Sequence, residues 1–149
     1  MSKVMSLVVF LGIVFSAAVS GSQFTPGEMC LTLTKPSWVP PNWVFPVVWT
    51  TLYIMIAIAG WLVWRRAGWC TALTVWGIGL VINALWSYFM FGRQEIGLAL
   101  ADVTALWVAV ALFINLAWNL DRMAAYLFLP YLAWVTIAAA LNFEVWRLN

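Results

Sequence analysis

The 149-residue chain contains no histidine and very little charge, and both shortages narrow what the protein can be. Without histidine it lacks the usual axial ligand of haem and the commonest catalytic base. Only 8% of its residues are charged, whereas soluble domains average roughly 25%. Its net charge is +2, and its longest basic cluster is Arg65-Arg66. The composition therefore argues against nucleic-acid binding.

Patterns for catalysis and metal binding are also missing from the sequence. The two cysteines, Cys30 and Cys70, lack the CxxC spacing of a metal site. The sequence does not decide whether they form a disulfide with each other. We find no nucleophile with a nearby base, no paired carboxylates and no phosphate-binding glycine loop. Nor is there the pair of interrupted apolar segments that points to a secondary transporter. The sequence predicts neither catalytic residues nor a metal site.

What the chain does contain is apolar sequence: 66% of its residues are hydrophobic and 12 are tryptophan. Tryptophan is enriched where a membrane protein meets the bilayer interface. Five apolar stretches approach the roughly 20 residues that a spanning helix needs. We therefore predict a multi-pass membrane protein, an all-α bundle of five transmembrane helices forming one domain over residues 1–149. The predicted spans are residues 4–20, 43–64, 69–91, 96–118 and 123–143, with a long first loop, 21–42, over the cavity at one end.

The first span and the membrane orientation each allow two interpretations. Residues 4–20 follow Lys3 and end in small residues, so they also resemble a signal peptide. We favour a retained helix, because removing it would strip one wall from a very small bundle. Orientation stays open, since four basic residues on one side against three on the other do not decide the positive-inside rule.

Residues 35–49, here called the proline–tryptophan segment, hold four prolines and three tryptophans. Each proline removes a backbone donor and fixes its own φ, and it also pushes the preceding residue away from the α region. We predict a stiff, extended segment that leads into the second span after Pro46. A plain membrane anchor has no need of such a segment, so we expect a flat ligand to rest against it.

Three spans carry aromatic stripes at helical spacing, where positions three or four apart share a face. Trp49 and Tyr53 are expected to stack, and Asn83 shares a face with Trp86. Polar side chains within a membrane serve either function or interhelical hydrogen bonding. We favour ligand contact for Asn83, and interhelical bonding or capping for Asn142. Beside Asn142, the fifth span presents Tyr131, Trp134, Ala138 and Leu141 on one stripe.

Three other residues within the spans also allow two interpretations. Asp102 has no partner base, so we expect it to be protonated or bonded to the hydroxyl of Thr104 or Thr136 rather than to form a proton relay. Gly77 and Gly79 permit close helix approach, either inside the bundle or in a dimer.

Three motifs, taken in order, resemble those of the translocator protein family, which includes the bacterial tryptophan-rich sensory proteins and the mitochondrial peripheral benzodiazepine receptor. Residues 38–50, Trp-Val-Pro-Pro-Asn-Trp-Val-Phe-Pro-Val-Val-Trp-Thr, resemble its W-x-P-P-x-x-x-F-x-x-x-W signature. Asn83-Ala84-Leu85-Trp86 resembles its N-x-x-W. Residues 129–134 and Leu141-Asn142 resemble its P-Y-x-x-W…L-N. The resemblance extends over the whole chain.

This resemblance implies a five-helix bundle, often a homodimer, with a ligand cavity beneath the first loop. It implies binding of tetrapyrroles such as protoporphyrin IX and haem, of sterols, and of isoquinoline carboxamide and benzodiazepine ligands, with no obligatory cofactor. Bacterial members are linked to regulation through export or breakdown of porphyrins, which suggests the bacterial envelope as the location. Carried over by residue, the cavity lining comprises Trp38, Pro41, Phe45, Trp49, Asn83, Trp86, Phe89, Trp134, Ala138 and Leu141.

The family's sterol pattern, L-x-Y-x-x-x-R, is only partly matched. It falls on Leu141, Phe143 and Arg147, with phenylalanine in place of tyrosine. Such patterns are weak, and the missing hydroxyl weakens this one further.

We therefore expect a binding protein for porphyrins and related hydrophobic ligands. Without histidine, binding would rely on stacking and shape rather than on axial ligation. The alternatives are a transporter of these molecules, an enzyme that degrades porphyrin in light and oxygen, and a purely structural membrane subunit.

Overall fold

Five long helices dominate the computed structural model, which describes residues 2–22 and 34–149. Each of the five is long and apolar enough to cross a membrane, the third when the short turn that extends it is included. No strand occurs in the described ranges. The predicted all-α, five-helix, multi-pass architecture is confirmed. The helices are α1 (Lys3–Ser22), α2 (Val44–Ala67), α3 (Thr71–Ser87), α4 (Ile96–Ala117) and α5 (Arg122–Leu148).

Two helices run further than their apolar stretches. α2 continues through its two arginines to Ala67, because basic side chains interact favourably with the carbonyl end of a helix. Gly68, at φ 63°, then ends it by donating its N–H to the carbonyl of Trp64 at 2.8 Å. α5 continues beyond Phe143, the predicted end, to Leu148. Hydropathy alone misses these last turns because charged residues can continue a helix into the interface.

α3 passes directly into a π-helical turn, Tyr88–Gly92. The Arg93 N–H donates to the carbonyl of Tyr88 at 2.8 Å, one residue further back than in an α-helix. With this turn the third span reaches from Thr71 to Gly92. The turn also places Met90 in a small apolar cluster with Ala99 of α4 and Val145 of α5.

The helices form a ring in which α1 packs on α2 and α3, while α5 packs on α2 and α4. α3 completes the ring against α4 and touches α2 only lightly. Although only a short turn separates α2 from α3 in the chain, α2 packs chiefly against α1 and α5. One physical reason is Trp76 of α3, whose bulky indole lies against Gly60 of α2 and whose Nε1 donates to the carbonyl of Ile56 at 2.9 Å.

α1 contributes side chains to the core of this ring. Phe10 and Val14 are buried, and the Phe10 ring lies edge-on to Trp76 with centroids 5.3 Å apart. The indole N–H of Trp61 on α2 donates to the hydroxyl of Ser6 at 2.9 Å. α1 is therefore one wall of the bundle.

The proline–tryptophan segment has no helix before Val44. Two short turns shape it, with Val39 N–H donating to the Pro36 carbonyl and Val44 N–H to the Pro41 carbonyl. Much of the predicted loop over residues 21–42 falls on residues 23–33, outside the described ranges, and α1 itself extends to Ser22.

The described chain resumes at Thr34, which is tied to the end of α5. Its N–H donates to Oδ1 of Asn149 at 3.1 Å, and the Asn149 amide donates back to its carbonyl at 2.9 Å. This reciprocal pair joins the start of the proline–tryptophan segment to the C-terminus of the fifth helix.

Candidate ligand-binding site

Five aromatic side chains meet between the first turns of α2 and the middle of α5. The Trp49 ring stacks on Tyr53, as predicted, with centroids 5.5 Å apart and planes at 28°. It meets Trp134 edge-on at 6.4 Å, and Phe45 meets the same Trp134 edge-on at 5.5 Å. Trp49 also contacts Tyr131 edge-on at 6.5 Å. We call Phe45, Trp49, Tyr53, Tyr131 and Trp134 the aromatic cluster.

Asn83 of α3 links the two tyrosines of the aromatic cluster. The Tyr53 hydroxyl donates to Asn83 Oδ1 at 3.2 Å, and Asn83 Nδ2 donates to the Tyr131 hydroxyl at 2.7 Å. Asn83 and Tyr131 are both buried. The amide thus bonds α2, α3 and α5 together, and a ligand that contacts Asn83 must share or replace one of these bonds.

Asn142 makes a second interhelical link, nearer the C-terminal end of α5. Its Oδ1 accepts from the Trp86 indole of α3 at 2.9 Å, and its Nδ2 donates to the Ile96 carbonyl of α4 at 3.1 Å. The interhelical role expected for Asn142 is confirmed. The small Met90 cluster is surrounded by Trp86, Phe89 and Leu141. Trp86 also packs against the large hydrophobic core of the helix ring.

The structure therefore divides the ten predicted lining residues among four places. Phe45, Trp49 and Trp134 lie in the aromatic cluster, with Asn83 bonded to it. Trp86, Phe89 and Leu141 lie around the Met90 cluster, close to Asn142. Ala138 is half-buried against the core of the helix ring. Trp38, which is 48% exposed, and Pro41 lie at the surface.

Tyr53 and Tyr131 are site residues that sequence reasoning left out of the lining. Both lay on predicted aromatic stripes, so the signal was their helical spacing. Their bonds to Asn83 join residues 30 and 48 positions apart, and no local pattern indicates such pairs.

Trp134 has a polar atom without a partner. Its side chain is 8% exposed, and its Nε1 is buried with no hydrogen-bond acceptor among the described residues. A buried unpaired donor costs roughly 1–3 kcal/mol. The indole N–H is therefore free to donate to a bound molecule inside the aromatic cluster.

Asp102 also has a buried, unpartnered atom, Oδ2, in the described structure. The expected bond to a neighbouring hydroxyl is wrong. Thr104 and Thr136 donate instead to carbonyls of their own helices, Leu100 and Leu132, each at 2.8 Å. Hydroxyls in membrane helices often bond back one turn in this way.

One small void lies between α2, α3, α4 and α5, next to the aromatic cluster. It measures about 10 Å³, room for about one water molecule. Of the aromatic cluster, only Tyr131 lines it. Ligand sites typically measure roughly 300–1,000 Å³, so this void is too small to be one.

Two residues of the sterol pattern, Phe143 and Arg147, are exposed near the end of α5, whereas the third, Leu141, packs against the Met90 cluster. Phe143 is 44% exposed. The Arg147 guanidinium pairs with Glu144 at 2.6 Å. Because this cation already has a partner, the geometry weakens a sterol site here further.

Metal-binding side chains do not gather in the described ranges, where no group of three or more acidic or cysteine residues is placed to hold an ion. Cys70 is a free thiol, and Cys30 lies outside those ranges. The chemistry offered by the site is thus flat aromatic surface and one indole N–H without an acceptor among the described residues.

The amino-acid sequence is similar to known proteins over nearly its whole length. Residues 4–147 match the model of the TspO/MBR family. Protein CrtK of Rhodobacter capsulatus is 39% identical over 137 residues, covering 89% of this chain and 86% of the relative. The tryptophan-rich sensory protein of Cereibacter sphaeroides is 40% identical over 140 residues, covering 94% and 89%. The translocator protein of Homo sapiens is 37% identical over 137 residues, covering 87% and 81%.

Proposed function

This chain belongs to the TspO/MBR family, and from that membership and its aromatic cluster we propose that it is an integral membrane binding protein for porphyrins such as protoporphyrin IX and haem. Related hydrophobic molecules, including sterols and isoquinoline carboxamides, are secondary ligands. The protein acts in tetrapyrrole-linked regulation or transport, as a homodimer in the bacterial envelope.

The free indole N–H of Trp134 is the observation that carries the proposal. A porphyrin is a flat apolar ring with anionic carboxylates at its edge. Its face can stack on Trp49, and a carboxylate oxygen can accept from Trp134 Nε1, which lacks a partner in the described structure. Supplying that acceptor removes the cost of a buried unpaired donor. Ring stacking adds roughly 0.5–1.5 kcal/mol per aromatic pair.

Entry to the cluster is proposed to occur past the start of α2. Phe45 and Trp49 are half-buried and lie in the first two turns of that helix. Before α2, residues 35–43 of the proline–tryptophan segment are held by two turn hydrogen bonds, at 3.3 and 3.0 Å, and the preceding Thr34 is bonded to Asn149. Few bonds must therefore break for the segment to move aside and for the rings of Phe45 and Trp49 to separate.

A fluorescence titration tests this proposal. Protoporphyrin IX added to the detergent-purified protein should quench tryptophan emission to saturation, and Trp49→Phe should weaken the fitted affinity about tenfold, the equivalent of about 1.4 kcal/mol. Trp69→Phe is the matched control, because Trp69 is 72% exposed and lies outside the cluster. Equal affinities for all three proteins would refute the assignment of the site. Absence of saturable quenching would favour a structural subunit.

Two alternative functions use the same site and have separate tests. A transporter should build a porphyrin gradient across sealed vesicles. A degrading enzyme should form a new, protein-dependent product from porphyrin in light and oxygen, a reaction favoured by the adjacent indoles of Trp49 and Trp134. An unchanged product yield in the double variant Trp49→Phe/Trp134→Phe would exclude photochemistry through these rings.

A further inference from the structure

An open groove lies on the outer face of the bundle at the C-terminal end of α4. Its volume is about 450 Å³, and three of its side chains, Asn115, Trp118 and Asn119, are exposed. We call it the α4 groove. It is lined by Ala111, Ile114, Asn115, Trp118 and Asn119.

The α4 groove joins the apolar surface of a membrane helix to a polar end. Upstream, Val108 and Leu112 are exposed, as expected for a face that meets acyl chains. At the end of the helix, the side-chain amides of Asn115 and Asn119 have no hydrogen-bond partner among the described residues. An unpaired amide against acyl chains is costly, so these groups call for an acceptor at the level of the lipid headgroups.

The positively charged side chain of Arg122 lies beside the groove residue Trp118. The Arg122 guanidinium lies 4.9 Å from the Trp118 ring centroid, and Tyr126 meets the same ring edge-on at 5.5 Å. The neighbouring Asp121 pairs with Arg66, at 3.6 Å. Within residues 2–22 and 34–149, Arg122 has no carboxylate partner, so its charge is available to an anion.

We propose that the α4 groove binds an anionic phospholipid. One acyl chain lies along Ala111 and Ile114, and the phosphate accepts hydrogen bonds from Asn115, Asn119 and Arg122. Basic side chains beside membrane helices attract anionic lipids with a strength equivalent to roughly fivefold in affinity per arginine. This site is separate from the aromatic cluster and does not depend on porphyrin binding.

Native mass spectrometry of the full-length protein released from detergent tests the proposal. Phosphatidylglycerol should bind at least about fivefold more tightly than phosphatidylcholine with the same acyl chains. Arg122→Gln and Asn115→Leu should each lower this preference, whereas Arg122→Lys should retain most of it. Both positions are exposed, and unchanged melting temperatures would show that the variants fold.

Arg65→Gln is the matched control, because Arg65 also lies over a tryptophan, 4.7 Å from the ring centroid of Trp61, but Trp61, unlike the Trp118 beneath Arg122, does not line the groove. It should keep the phosphatidylglycerol preference. Equal binding of the two lipids, or an equal loss in Arg65→Gln and Arg122→Gln, would overturn the proposal. So would competition by free glycerol phosphate at micromolar concentration, or loss of a dimer in Asn115→Leu without any change in lipid binding.

Discussion

Gly60 on α2 has no space for a side chain, because the indole of Trp76 lies directly against its backbone. A Cβ at this position would sit 2.5 Å from Cε2 and 2.7 Å from Nε1 of Trp76. The ring cannot simply turn aside, since its Nε1 donates to the Ile56 carbonyl at 2.9 Å. Gly60→Ala should therefore force the two helices apart or break that bond.

The magnitude of this effect follows from three contributions. Overpacking costs about 1–3 kcal/mol, and losing the indole bond costs about 1 kcal/mol more. Alanine regains about 1 kcal/mol through its higher helix propensity. We expect Gly60→Ala to lower the free energy of unfolding by about 1–3 kcal/mol.

Unfolding in mixed micelles, followed by far-UV circular dichroism, measures this change. The matched control is Gly77→Ala, because a Cβ there would meet nothing within 4 Å, so its stability should be unchanged or higher by up to about 1 kcal/mol. The double variant Gly60→Ala/Trp76→Phe should lose less stability than the sum of its single changes. If Gly60→Ala were as stable as Gly77→Ala, the close packing of α2 against Trp76 would be refuted.

Three further predictions concern the polar atoms of the site. Trp134→Phe removes a buried donor that has no partner among the described residues, but it also leaves a cavity in the aromatic cluster, and these opposing effects are about 1–3 kcal/mol each. The unfolding free energy should therefore change by less than about 2 kcal/mol, and protoporphyrin IX binding should weaken in the fluorescence titration; a loss of more than about 3 kcal/mol would argue that the donor has a partner. Asp102→Asn should leave the melting temperature at neutral pH equal or higher, because a neutral amide costs less to bury than a carboxylate with an unpartnered oxygen. A clearly lower melting temperature would show that the Asp102 carboxyl group has a bonding partner. A double-mutant cycle of Asn83→Ala and Tyr131→Phe should give a coupling of about 0.5–2 kcal/mol in unfolding experiments, whereas additive effects would contradict the 2.7 Å bond between them.

Much of the fold was predictable because it depends on local sequence. Five apolar runs predicted five helices, and the prolines around Pro41 predicted a non-helical segment before α2. Spacing alone also predicted the stacking of Trp49 on Tyr53. These features require only neighbours within one or two turns of the same helix.

The candidate site was predictable only in part, because its hydrogen bonds join different helices. Sequence reasoning favoured ligand contact for Asn83, whereas the structure pairs both ends of its amide with tyrosines. For Asp102 it expected either protonation or a hydroxyl partner, and the second expectation is wrong because the threonine hydroxyls bond to their own helices. Gly77 and Gly79 looked equivalent, yet only Gly79 faces another helix, where a Cβ would lie 3.6 Å from Ala109.

The amino-acid sequence by itself determined that this chain enters the membrane, where its helices begin, and which residues share a helical face. Those properties follow from hydropathy and from the geometry of a single helix. Only the tertiary structure decided that the Trp134 N–H, beside Trp49, has no acceptor among the described residues and that Asn83 is bonded across three helices. These partners depend on how each helix is rotated about its axis and shifted along it relative to its neighbours. The amino-acid pattern of a single helix carries no information about that relative placement.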